Sequence, residues 1–120
     1  MQPLRELQCV PCQSGEASLS NDEIERLKPH IPDWKVVERE GEKQLERLFK
    51  FKDFARALEF TNRVGEAAEA EDHHPMLVTE WGKVTVTWWT HKIKGLHQND
   101  FIMAARTDQM YQDLNQAQAS

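Results

Sequence analysis

The chain of 120 residues has two cysteines, no excess of basic residues and no long apolar run. A domain of this length can bury a hydrophobic core without disulfide bonds. The net charge of −5 disfavours binding of nucleic acid through a basic surface. No stretch is apolar for long enough to span a membrane, and MQPLRELQCV lacks the apolar segment of a secretory signal. We therefore expect a cytoplasmic protein that binds neither nucleic acid nor membrane.

The two cysteines, Cys9 and Cys12, form a single CxxC motif. A structural zinc site needs four ligands, and the sequence has no second CxxC motif. A thioredoxin-like redox pair would follow a strand and open a helix, and the sequence predicts neither here. The motif is interpreted as two thiols in an irregular leader, residues 1–18, with a redox or zinc role as the weaker alternative.

Polar caps, prolines and turn residues mark the elements of the remaining chain. Ser20 and Glu23 have the spacing of a capping box, Asp53 is a second N-cap, and Gly82 lies in a hairpin turn. The predicted elements are a helix from Ser20 to just before Lys28, strands 34–38 and 45–51, a helix from Asp53 to about His74, strands 76–81 and 83–90, and a helix from His97 to Asn115.

This order of elements predicts an α+β fold, in which a four-stranded antiparallel sheet carries its helices on one face. A single domain would span residues 19–115, followed by a frayed tail, residues 116–120. In the second helix a stripe recurs every three or four residues, and we expect it to contact the sheet or another helix. The stripe consists of Phe54, Leu58, Thr61, Gly65 and Ala68, widened by Ala57 and Val64.

Three of the five histidines lie between Glu71 and His91. His73 and His74 come where the second helix must end before Pro75. His91 follows the last strand of a hairpin whose first strand begins just after Pro75, so antiparallel pairing returns His91 to the neighbourhood of that proline. We therefore expect three imidazoles to meet near acidic residues of the same segment. These acids are Glu69, Glu71 and Asp72.

Simple structural roles are available for some of these residues. Cations such as His73 and His74 are favoured at a helix C-terminus. His97 can cap the last helix, with Asp100 as the acid of a capping box. These roles do not explain why a third histidine joins the first two.

Two kinds of chemistry could use such a cluster. Three histidines can hold zinc with an open fourth position, although adjacent histidines rarely chelate one ion. The alternative is metal-free proton transfer, in which one imidazole gives a proton to a leaving hydroxyl and another accepts a proton from the substrate. The sequence contains no glycine-rich phosphate loop and no nucleophile elbow. It therefore favours a metal-independent acid–base site.

The pattern Glu69-x-x-x-His73-His74-Pro75, followed by Trp81, His91 and Asp100, resembles the signature of the pterin-4a-carbinolamine dehydratases. The resemblance covers roughly residues 19–110 and includes Trp34, FKFKDFARALEFTNRV and GLHQND. It implies an α+β fold, a homodimer or homotetramer, and a hydro-lyase without metal or cofactor. The implied reaction converts 4a-hydroxytetrahydropterin to quinonoid dihydropterin and water, in tetrahydropterin recycling.

The resemblance also implies roles for individual residues. The catalytic and pterin-contacting imidazoles would be those of His73, His74 and His91. Further residues lining the substrate site would be Asp72, Trp89, Thr90 and Lys92. Supporting residues would be Glu69, Pro75, Trp81 and Asp100. The bulky Trp89 could narrow the pocket or provide a stacking surface for the flat pterin.

The family also implies partners. An aromatic amino-acid hydroxylase would supply the hydroxypterin. A mammalian member also serves as a dimerisation cofactor for a transcription factor, so a non-catalytic, protein-binding role is the alternative function. A docking surface for that role would use the small residues Ala57, Gly65 and Ala68.

Overall fold

The computed structural model describes residues 3–10 and 17–119, with side chains as far as Asn115. The helices and strands are α1 (Asn21–Leu27), β1 (Lys35–Arg39), β2 (Glu42–Lys50), α2 (Phe54–Glu71), β3 (Met76–Glu80), β4 (Lys83–Trp88) and α3 (Gln98–Ala119). Single 3-10 turns occupy Leu4–Glu6, Lys28–His30 and His91–Ile93. Within the described ranges, none of the helices has the length and hydropathy that a membrane span requires.

The four strands form one antiparallel sheet in the order β1-β2-β4-β3. In the two central strands Leu45 pairs with Trp88 and Phe49 pairs with Val84, and all four side chains are buried. Leu48, on the opposite face of β2, is exposed. The helices α2 and α3 therefore cover one face of the sheet, and the predicted α+β fold is confirmed.

The predicted helix caps are present. The Ser20 hydroxyl accepts a hydrogen bond from the Glu23 backbone N–H, and the Glu23 carboxylate accepts one from the Ser20 N–H. The Asp53 carboxylate accepts from the Arg56 N–H at 2.9 Å and so begins α2. Each cap satisfies N–H groups that the first helical turn leaves without intrahelical partners.

The predicted buried stripe of α2 is wrong at its two N-terminal members, Phe54 and Leu58. Phe54 and Leu58 are 44% and 43% exposed, whereas Phe60 is fully buried. The buried face consists of Ala57, Phe60, Val64 and Ala68. Because each helical residue turns by about 100°, Phe54 and Leu58 lie roughly a quarter turn from this face. Burial of Ala57 and Ala68 also removes them from the predicted docking surface.

Several element boundaries differ from the prediction, and three of the differences concern the site or the tail. The helix α2 ends at Glu71, because Asp72 adopts the left-handed conformation with φ of 51°. The strand β4 ends at Trp88, so His91 lies in a 3-10 turn instead of at a strand end. The helix α3 continues to Ala119, so the tail predicted to be frayed is helical up to that residue.

In its described parts, residues 3–10 and 17–18, the leader is irregular apart from its 3-10 turn, and it packs on the domain. Leu4 is buried in the core beside α3. Farther along, the Leu19 N–H donates to the Leu96 carbonyl at 2.9 Å. Cys12 and the other residues of segment 11–16 lie outside the described residues.

The corrected face of α2 yields a stability prediction with a matched control on the same helix. Phe60→Ala should lower the free energy of unfolding by about 3–5 kcal/mol, because it removes a fully buried aromatic ring. Phe54→Ala should lower it by less than about 1 kcal/mol, since that ring is partly exposed. Urea denaturation of both variants measures the difference. Equal losses would contradict the assignment of the buried face.

Candidate active site

A cavity of about 440 Å³ opens where α2 ends, β4 ends and α3 begins. Its lining residues are Cys9, Val10, Glu71, Asp72, His73, His74, Trp89, Thr90, His91, Lys92 and Asn99. The three histidines of the cluster therefore line one cavity, together with the four predicted substrate-contacting residues. The volume lies within the range of about 300–1,000 Å³ that is common for small-molecule sites.

His73 is the least exposed of the three imidazoles. It lies just beyond the αL residue that ends α2, with its backbone N–H bonded to the Ala68 carbonyl at 3.1 Å. Its ring stacks on the buried Trp88 with a centroid distance of 5.6 Å and an interplanar angle of 5°. Its Nε2 lies 2.6 Å from Oδ1 of Asp100. The ring is thus held by an aromatic face and by a carboxylate.

Asp100 is fully buried and receives hydrogen bonds from three parts of the fold. Its Oδ2 accepts from the Thr90 hydroxyl at 2.8 Å and from the His97 backbone N–H at 2.9 Å, while Oδ1 contacts His73. The bond from the His97 N–H is the capping-box bond that the sequence predicts. Asp100 therefore both caps α3 and holds a cavity imidazole.

The bonding pattern of Asp100 indicates the tautomer of His73. The backbone N–H of His97 can only donate, and the Thr90 hydroxyl donates to the same oxygen. Asp100 thus acts as an acceptor, and a proton on Nε2 of His73 completes its set of donors. This leaves Nδ1 as the ring nitrogen of His73 that is available to a ligand.

His74 has a different environment. Its Nε2 lies 2.5 Å from Oε1 of Glu69, one turn back on α2. The His74 side chain is 55% exposed, compared with 12% for His73, and Glu69 is also largely exposed. An exposed pair of this kind orients the ring but contributes little stability, since water screens it.

His91 is exposed and packs against Trp89, with ring centroids 4.5 Å apart. Both residues follow β4, and the chain there folds back through a bridge between Thr90 and Gly95. The 3-10 turn that carries His91 places it on the same cavity as His73 and His74. The geometry of the second hairpin predicted that His91 would lie beside His73 and His74. The catalytic roles of the three histidines remain predictions.

The predicted supporting residues occupy different places. Glu69 contacts the His74 ring and Asp100 contacts the His73 ring, and their supporting roles remain predictions. Pro75 follows the histidine pair directly and precedes β3, outside the lining set. Trp81 is exposed in the turn between β3 and β4, at the far end of the hairpin, so the structure does not bring it to the cavity.

From the sequence, three of the lining residues are not expected at the histidine site. They are Cys9, Val10 and Asn99. Asn99 adjoins the predicted capping residues, so its place beside the cavity could have been inferred from the helix start. No local pattern connects the leader with this site, because residues 10 and 99 are 89 positions apart.

Among the residues that the structure describes, no three His, Cys, Asp or Glu side chains form a group that could hold a metal ion. His73 and His74 are adjacent in sequence, but each bonds to a different carboxylate. The cavity therefore presents imidazoles paired with acids, an arrangement suited to proton transfer.

Comparison with known proteins matches residues 17–110 to the family model described as Pterin 4 alpha carbinolamine dehydratase. The chain belongs to this family. It is 59% identical over 112 residues to a protein of Chlorobium limicola, covering 93% of this chain and 99% of that protein. It is 56% identical over 115 residues to a protein of Microcystis aeruginosa, covering 96% and 99%. Both relatives are named "Putative pterin-4-alpha-carbinolamine dehydratase".

Solved structures are similar to this member of the dehydratase family as well. A transcriptional coactivator/pterin dehydratase from Brucella melitensis superposes with a TM-score of 0.72 at 31% identity, covering 78% of this chain and 98% of the other. A pterin dehydratase-like protein, described as a RuBisCO assembly factor in the alpha-carboxysome, superposes with a TM-score of 0.56 at 19% identity, covering 66% and 89%. The second likeness indicates a shared fold alone.

The contrast between His73 and His74 is testable without any substrate. In ¹⁵N-resolved NMR of the imidazoles, His73 should be the Nε2–H tautomer, and its ring proton should exchange slowly because Asp100 and Trp88 cover it. His74 is the internal control, whose exposed ring proton should exchange rapidly with water. An Nδ1–H tautomer at His73, or equal exchange at both rings, would contradict the geometry.

Proposed function

We propose that this protein dehydrates 4a-hydroxytetrahydropterin to quinonoid dihydropterin and water by histidine acid–base catalysis. The observation that carries the proposal is that His73, His74 and His91 line one cavity, two of them paired with carboxylates. Membership of the pterin dehydratase family supports the same reaction.

The reaction needs two proton transfers. An imidazolium gives a proton to the 4a-hydroxyl, the C4a–O bond breaks, and water leaves. A neutral imidazole accepts the proton of N5, and the electrons of the N5–H bond form the N5=C4a double bond. The number of protons on the enzyme is unchanged, so the reaction requires no oxidant and no cofactor. General acid–base catalysis of this kind contributes about 10²–10⁴-fold to the rate.

The three imidazoles are suited to different parts of this reaction. His73 has a fixed orientation, so it can present Nδ1 to one position on the substrate. His74 and His91 are exposed at the cavity and can exchange protons with water between turnovers. The proposal assigns acid and base to this set without deciding which ring has which role.

The remaining cavity residues fit a flat, polar bicycle. Trp89 offers an aromatic surface against which a pterin ring can stack. The Asp72 carboxylate can accept hydrogen bonds from N–H groups at the edge of the ring. We propose these two contacts as the basis of substrate binding, with Thr90 and Lys92 completing the lining.

The decisive experiment is turnover, followed by the absorbance of 4a-hydroxytetrahydropterin as it dehydrates. The wild-type protein should accelerate the reaction above its spontaneous rate, and dialysis against a chelator should leave kcat unchanged. His74→Ala should lower kcat by about 100-fold or more, because it removes one of the proton-transfer groups.

The matched control is His30→Ala, which removes an exposed histidine that is absent from the cavity lining. It should leave kcat unchanged. An uncatalysed rate with the wild-type protein would refute the proposed function. Equal rates for His74→Ala and wild type would refute the role of the histidine cluster.

The expected partners remain predictions. These are a second copy or three further copies of the chain, and an aromatic amino-acid hydroxylase that supplies the substrate. A protein-binding role also remains the alternative, although two of the three residues predicted for its docking surface, Ala57 and Ala68, are buried. Absence of turnover together with specific capture of one partner would favour that alternative.

A further inference from the structure

The cavity has a wall that the family pattern does not contain. Cys9 and Val10 line it, whereas the matched family region begins at residue 17. These two residues belong to the N-terminal segment 3–10, which we call the leader wall. Its position depends on two sets of contacts with α3.

The first contact is a reciprocal pair of hydrogen bonds between Val10 and Asn99. The Val10 N–H donates to Oδ1 of Asn99 at 3.0 Å, and Nδ2 of Asn99 donates to the Val10 carbonyl at 2.7 Å. The Asn99 side chain thus pairs with the backbone as a neighbouring β-strand would. Asn99 is buried and immediately precedes Asp100, which holds His73. The same helical turn therefore supports both the wall and an imidazole.

The second contact involves Arg106, two turns farther along α3. Its guanidinium donates to the carbonyls of Leu7 and Arg5. It also forms an ion pair with Glu71 at 2.6 Å, and Glu71 is itself a lining residue at the end of α2. Leu4, itself a residue of this segment, is buried in the core and adds an apolar contact. The wall is therefore docked at several points along its length.

We propose that the leader wall is part of the ligand site, that Cys9 and Val10 contact the bound pterin, and that Asn99 is the positioning residue that holds them there. This inference rests on the proposed function and deepens it, because it assigns a determinant of ligand affinity outside the histidine motif. It predicts an effect on substrate binding and not on the chemical step.

The composition of the cavity explains what the wall contributes. Among the described lining residues, eight are charged or carry hydrogen-bonding groups, and the three that offer mainly nonpolar surface are Cys9, Val10 and Trp89. A flat heteroaromatic ligand buries its faces against nonpolar surface and its edges against polar groups. Two of the three nonpolar contributions therefore come from the leader wall.

The ionisation of Cys9 agrees with this role. Burial, reinforced by the nearby carboxylate of Glu71, raises the pKa of the Cys9 thiol to about 11. The thiol is thus uncharged at neutral pH and presents a nonpolar surface instead of a nucleophile.

The first test separates binding from chemistry. Asn99→Ala removes both bonds to Val10, and it should raise KM for the hydroxypterin about tenfold while kcat stays within about twofold of wild type. Asn62→Ala, at an exposed site on α2, is the matched control and should change neither constant. An unchanged KM, or a fall in kcat alone, would overturn the proposal.

The second test needs neither turnover nor a destabilised variant. In a Cys12→Ser background, Cys9 is alkylated with iodoacetamide at pH 8. A thiol with a pKa of about 11 should react about tenfold more slowly there than one at the ordinary value of 9.0, because its smaller thiolate fraction outweighs its greater nucleophilicity. Saturating 7,8-dihydrobiopterin, which lacks the 4a-hydroxyl, should slow alkylation at least a further tenfold. Alkylation that is unaffected by the dihydropterin would overturn the proposal.

The two tests also distinguish this inference from the proposed function. If wild-type protein shows no turnover but dihydrobiopterin protects Cys9, the reaction is wrong and the wall stands. If wild-type turnover is normal, but Asn99→Ala leaves KM unchanged and the dihydropterin does not slow alkylation of Cys9, the wall is wrong and the reaction stands.

Discussion

The buried carboxylate of Asp100 is the interaction on which the site depends. It receives a backbone N–H from the start of α3, a hydroxyl from the segment after β4 and an imidazole from the end of α2. A buried carboxylate without donors is costly, because it has lost its hydration and gained no partner. Convergence of the three chain segments supplies the donors that this carboxylate needs, and it also forms the cavity.

This constraint divides the imidazoles into one that is held and two that are accessible. His73 is fixed between Asp100 and the face of Trp88, a buried residue of the central sheet. His74 and His91 lie on the open side of the same cavity. A rigid imidazole can position a substrate atom, and accessible imidazoles can return to their starting protonation state from water. The proposed dehydration requires both properties.

Features set by local chemistry could be predicted from the sequence. The capping box of Ser20 and Glu23 predicted the start of the first helix. The positions of Pro75 and Gly82 predicted the second hairpin, which returns His91 to the histidine pair at its start. Features set by contacts between distant parts of the chain could not be predicted from the sequence. Phe54 and Phe60 have the same intrinsic character, and only packing against the sheet decides which is buried. The leader wall depends on a pairing across 89 positions, for which no periodic pattern exists.

The most direct test of this account is the turnover of Asp100→Asn, measured at a temperature where circular dichroism shows the variant to be folded. The amide keeps the size of the carboxylate but replaces one acceptor with a donor. It cannot satisfy all three donors, so kcat should fall by about 100-fold or more, and the fraction of His73 in the Nε2–H form should fall with it. A folded variant with wild-type kcat and an unchanged His73 tautomer would contradict the central role of Asp100.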